Sequence, residues 1–140
     1  MMKNGKYVVI ILMLVLNNFL FGQDSKPKDA LKIFLRIEEG INDNSVDKFA
    51  SYFSLKNYLS LNNSVVGYFS ENQSYYILKD YFSINQPISF KLSNIITETT
   101  NPFASGTLKF IQKGIRKTAT IFISLQWIDN RWKISQITVN

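Results

Sequence analysis

The chain contains neither cysteine nor histidine. Without cysteine it forms no disulfide and carries no lipid on a thiol, so its stability must come from packing. Without histidine it lacks the usual zinc ligand and the common general base. Long apolar runs are scarce as well: Val8 to Leu16 is the main one, and it falls short of the ~20 residues that span a bilayer. A basic stripe carried by a known nucleic-acid module is also missing. The densest basic cluster, Lys109, Lys113, Arg116 and Lys117, surrounds Gly114 and reads as a solvated hairpin end.

What is present is apolar and aromatic. Of 140 residues, 46% are hydrophobic, with 11 Phe, 7 Tyr and 2 Trp, enough side-chain area to offset the ordering entropy of one compact domain. Residues 1–22 read as an export signal: Lys3 and Lys6 precede the apolar run, Asn17-Asn18 interrupts it, and Gly22 supplies a small residue for cleavage. A retained signal anchor is the alternative. Residues 23–28 form a polar linker and residues 29–140 the domain. Cleavage removes Lys3 and Lys6 from the 16 basic residues, leaving 14 against 10 acidic and a net charge of +4. The expected location is secreted or periplasmic, with no stable membrane anchor once the signal is removed.

Helical signals fill the first half. Pro27 suits the first turn of a helix beginning near Ser25, with Leu31, Phe34, Leu35 and Ile41 as its apolar stripe and Gly40 with Asn42-Asp43 as its end. Asn44 reads as the N-cap of a second, short helix carrying Val46, Phe49, Ala50 and Phe53. Tyr58 to Leu61 and Val65 to Tyr68 flank Asn62-Asn63 as a small hairpin. "SENQ", Ser70 to Gln73, is a capping box before a third helix with Ile77, Leu78, Tyr81 and Phe82 on one face and Pro87 beyond its end.

From Ile88 the apolar period becomes two, and strands are expected around 88–92, 103–112, 117–128 and 131–139. In "QWIDNRWKI", an Asp129-Asn130 hairpin loop sets Trp127 opposite Trp132. Both then share a core face with Ile121, Ile123, Leu125, Ile134, Phe110, Leu108 and Ala104, while Thr118, Thr120, Ser124 and Gln126 face outward. Ile137 and Val139 break the alternation, so a bulge at Ser135-Gln136 is needed to return them to the core. Helices followed by meandering strands indicate an α+β fold.

This order, ending in "NRWKISQITV", resembles the nuclear transport factor 2-like cone. "LRIEEGINDNSVDKFASYFS", "YYILKDYF" and the terminal strand resemble the secreted bacterial family called domain of unknown function 4783, over roughly residues 29–140. The resemblance implies three N-terminal helices packed on a curved antiparallel sheet, a pocket between them, and frequent dimers. The superfamily contains isomerases and dehydratases alongside binding and assembly modules, and the family itself has no assigned activity to carry over.

The chemistry is thin. A site like that of ketosteroid isomerase needs a carboxylate base and an oxyanion donor in an apolar cavity; Asp80, Tyr76, Tyr81 and Glu98 are the available types. A dehydratase-type Asp-His pair cannot form. Glu38 and Glu39 point different ways on a helix, and Asp43-Asn44 belong to a turn, so no metal or other cofactor is expected. Tyr52, Tyr58, Tyr68 and Tyr75 suit a core or rim as well as a glycan or peptide surface. The resulting expectation is a secreted, non-catalytic module binding a small apolar ligand or a protein partner, and not nucleic acid. Tyr76, Asp80, Tyr81, Trp127 and Trp132 are its candidate pocket residues. The alternatives are an isomerase- or dehydratase-like enzyme using Asp80, and a structural homodimer pairing through the outer sheet face around Phe122.

Overall fold

The computed structural model describes residues 25–140; the export signal expected over residues 1–22 lies outside the described residues. Helix α1 spans Ser25–Asn42. Ser25 to Lys28, assigned above to a linker, are therefore its first turn, with Pro27 at a position where a missing N–H costs nothing. Its buried stripe is Ala30, Ile33, Phe34, Ile37 and Ile41. Leu31 and Leu35 each lie one residue, ~100° of helical rotation, beyond a stripe position and are exposed, which corrects the expected face.

Gly40 does not end the helix. It is buried inside α1 because the Phe49 ring lies against it: a Cβ there would stand 2.5 Å from Phe49 Cδ1 and 2.8 Å from the Ser45 carbonyl oxygen. The stop comes at Asn44, which has φ 50°. Its N–H donates to the Ile41 carbonyl and the Ser45 N–H to the Gly40 carbonyl, the paired bonds of a left-handed helix terminus. Asn44 thus terminates α1 instead of capping a second helix. Two 3₁₀ turns follow, Val46–Lys48 and Ala50–Tyr52, and among the described residues the expected three helices become two α-helices with these turns between them. Val46, Phe49 and Phe53 still reach the core.

Six strands form one sheet: β1 (Phe53–Ser60), β2 (Val66–Phe69), β3 (Gln86–Ile96), β4 (Phe103–Gln112), β5 (Ile115–Ile128) and β6 (Arg131–Val139), with α2 (Glu71–Ile84) between β2 and β3. The spatial order is β2-β1-β6-β5-β4-β3. All neighbours are antiparallel except β1 and β6, which are parallel. The capping box of α2 forms as expected, with the Ser70 hydroxyl accepting from the Gln73 N–H and the Gln73 side chain accepting from the Ser70 N–H. Pro87 is tolerated in β3 because that strand is at the sheet edge.

The meander follows the expected register. Trp127 pairs with Trp132, Ile123 with Ile137 and Ile121 with Val139. Ser124 pairs with Gln136 and Leu125 with Ile134, leaving Ser135 as the extra residue of the bulge; its hydroxyl donates to the Ser124 carbonyl at 3.1 Å. The parity change buries Ile137 and Val139 beside Ile121 and Ile123. Helices α1 and α2 cover this face, and Phe34, Leu78, Tyr81, Phe82, Leu108 and Ile121 fill the space between them and the sheet.

Candidate functional site

A second irregularity shapes the surface. Along the parallel pair, Phe53 matches Ile134 and Tyr58 matches Gln136, so Ser54 to Asn57 on β1 stand against Ser135 alone on β6. The bulged segment is held by Asn57, a buried side chain with its polar atoms satisfied. Its Oδ1 accepts from the N–H and hydroxyl of Ser54, each at 2.9 Å, and its Nδ2 donates to the Ser54 carbonyl at 2.8 Å and to Ser74 Oγ at 3.1 Å. Folding the polar hub inward turns Leu55 out, and 87% of its surface is exposed.

Between this bulge and the β5–β6 hairpin lies an open cleft of about 620 Å³, lined by Phe53, Leu55, Tyr68 and Ile128 together with Lys56, Arg131 and Lys133. Glu71, Gln126 and Asp129 also border it. A second cleft of about 300 Å³ lies against α1, with Ile33, Tyr52, Trp127 and Trp132 in its wall. Arg131 and Lys133 line both. A third, more polar depression of about 380 Å³ includes Tyr58, Tyr68 and Gln136.

The hairpin between the clefts is rigidly specified. Asp129 and Asn130 have φ 51° and 61°, the paired left-handed conformations that match the strand twist. The indoles meet edge to face, 4.9 Å between centroids at 73°. Trp132 is buried, and its Nε1–H donates to the Lys26 carbonyl at 2.8 Å. Trp127 is half-buried with the Lys26 ammonium 4.1 Å from its ring centroid. One residue of α1 therefore engages both tryptophans, through its backbone and its charge.

The other candidate residues sit elsewhere. Tyr81 is fully buried, and its hydroxyl donates to Asn62 Oδ1 at 2.8 Å; burial raises its pKa. Tyr76 is exposed on α2 beside Tyr75, and Asp80 is exposed on the same helix. None of these three lines the described clefts. Glu98 is exposed between β3 and β4. Among the described residues no group of three acidic side chains converges as a metal site would require. Leu55, Arg131 and Lys133 escaped sequence reasoning, since only the β1 bulge brings them around one space. Leu55 carried one signal, being an apolar residue ahead of the Tyr58–Leu61 alternation.

Residues 34–140 match the family model described as Domain of unknown function (DUF4783). The chain belongs to this family. The fold agrees: a family member from Bacteroides uniformis superposes with a TM-score of 0.68 at 14% identity, covering 75% of this chain and 93% of that one. Another from Bacteroides fragilis gives 0.65 at 17%, covering 74% and 93%. A nuclear transport factor 2-like protein of unknown function from Shewanella oneidensis gives 0.56 at 14%, covering 80% and 96%. No curated protein matches the chain. The DUF4783 chain thus has an α+β fold like that of the nuclear transport factor 2-like proteins, with a curved, mostly antiparallel sheet, and these likenesses extend to its fold alone.

Proposed function

We propose that the protein is an exported, non-catalytic binding module that receives a small apolar ligand, or an apolar segment of a protein partner, in the cleft between the β1 bulge and the β5–β6 hairpin. The observation that carries this reading is the cleft itself: about 620 Å³ is within the range that holds small ligands, and Phe53, Leu55, Tyr68 and Ile128 give it apolar walls. Export is supported by the basic start and apolar run of residues 1–22.

The expected result of native mass spectrometry on the protein taken from its natural compartment is a co-purifying apolar molecule, lost when Leu55→Asp places a charge in the wall. Retention of that molecule by Leu55→Asp, with Tyr68→Ala equally silent, would move the site elsewhere. Asp80→Asn should leave both binding and stability unchanged, because Asp80 is exposed and borders none of the clefts.

A further inference from the structure

Apolar walls account for only part of the larger cleft. Lys56, Arg131 and Lys133 also line it, and among the described residues the ion pairs are those joining Arg36, Glu39, Asp43 and Lys48, so none of the three cleft cations makes an ion pair. Lys133 donates to the Ser51 carbonyl at 2.7 Å, a bond that anchors its ammonium without cancelling its charge. Lys56 stands 4.8 Å from the Tyr68 ring centroid. Arg131 and Lys133 are two residues apart on β6 and so project from the same side of the strand. The two lining carboxylates, Glu71 and Asp129, make no ion pair with them. An arginine fork beside an ammonium suits a planar carboxylate, which accepts two parallel N–H bonds from the guanidinium.

Resting on the binding reading above, we propose that the cleft takes an amphipathic carboxylate of the fatty-acid type. Its chain lies on Phe53, Leu55, Tyr68 and Ile128, and its head group is held by Arg131 and Lys133. The apolar wall distinguishes this ligand from a free inorganic anion, and the unpaired cations distinguish it from a neutral apolar molecule. Because Arg131 is exposed, the head-group interaction is screened by salt.

The test compares decanoate with 1-decanol by calorimetric titration and amide chemical shifts, at low and high salt, using the described domain with its preceding residues after signal removal. Decanoate should bind about tenfold more tightly than decanol at low salt, consistent with a charge-assisted hydrogen-bond pair, with shifts at Leu55 and Arg131. Arg131→Gln should abolish that preference and leave decanol binding intact. Lys133→Gln, at the second head-group contact, guards against an Arg131 variant that misfolds and should reduce the preference severalfold. Equal binding of acid and alcohol, or a preference that survives Arg131→Gln, overturns the carboxylate assignment while leaving the apolar site standing. Binding of neither compound overturns both, and binding of an acidic peptide without decanoate overturns the small-amphiphile assignment.

Discussion

The side-chain amide of Asn42 brackets the backbone of Phe90: its Nδ2 donates to the Phe90 carbonyl at 2.7 Å and its Oδ1 accepts the Phe90 N–H at 2.8 Å. One turn earlier on α1, Glu38 accepts the Leu92 N–H at 2.7 Å. Strand β3 is an 11-residue sheet edge, and these two side chains occupy backbone groups that would otherwise be open to another chain. Asn42→Ala should therefore destabilise the fold by about 1–2 kcal/mol, and Asn42→Ala with Glu38→Ala should promote self-association. Denaturant unfolding and light scattering report the two effects; a double variant that remains both stable and monomeric would refute edge protection.

Trp132 is held by its neighbours before any ligand arrives. Trp132→Phe removes bulk from a buried site and the donor to Lys26, so a loss of about 1–3 kcal/mol is expected. Trp127→Phe should lose less, since that ring is only half-buried. The midpoint of urea unfolding separates the two, and an unchanged midpoint for Trp132→Phe would reassign it to ligand contact.

Two glycines are present for close approach. At Gly40 an added methyl meets the Phe49 ring and the Ser45 carbonyl. At Gly106, opposite Leu92 where β3 and β4 shift register, it meets the Lys91 carbonyl and stands 2.9 Å from the Leu92 Cα. Both alanine variants should be destabilised, and Gly106→Ala more so because its nearest obstacles are all backbone atoms whereas those at Gly40 are mainly the Phe49 ring, at about 2–3 kcal/mol or more. Loss of amide protection along β3 in Gly106→Ala but not in Gly40→Ala is the expected exchange pattern.

Alkali should weaken the fold through Tyr81. Burial raises its pKa in the native state above the ordinary value near 10, so the unfolded chain releases this proton first. The stabilisation is complete below pH ~10 and declines as pH rises from there through the higher native value. Tyr81→Phe should flatten that decline while losing the Asn62 bond, about 1 kcal/mol at neutral pH. Unfolding midpoints between neutrality and strong alkali, unchanged in slope by the substitution, would contradict the assignment.

Local chemistry was legible wherever a few adjacent residues sufficed. The Ser70 to Gln73 box, the Asp129-Asn130 loop and the parity fault near Ser135 each involve neighbours along the chain, and each forms. Where two local signals competed, distant contacts decided. Gly40 and Asn44 both read as punctuation between helices, but the Phe49 ring requires Gly40 inside α1, and the terminus moves to Asn44. The stripe of α1 depended likewise on which of several apolar residues met the sheet.

From its own residues the chain determines the α+β class, the strand meander and the tryptophan pairing, because hydrophobic period and turn stereochemistry act over a few positions. Only tertiary structure decides that Tyr81 is core, that Asp80 faces solvent, and that Leu55 shares a cleft with Arg131. The first two depend on which face of α2 packs inward, and the last on the parallel pairing of β1 with β6, which joins segments far apart in the chain by register; no short stretch of sequence contains either.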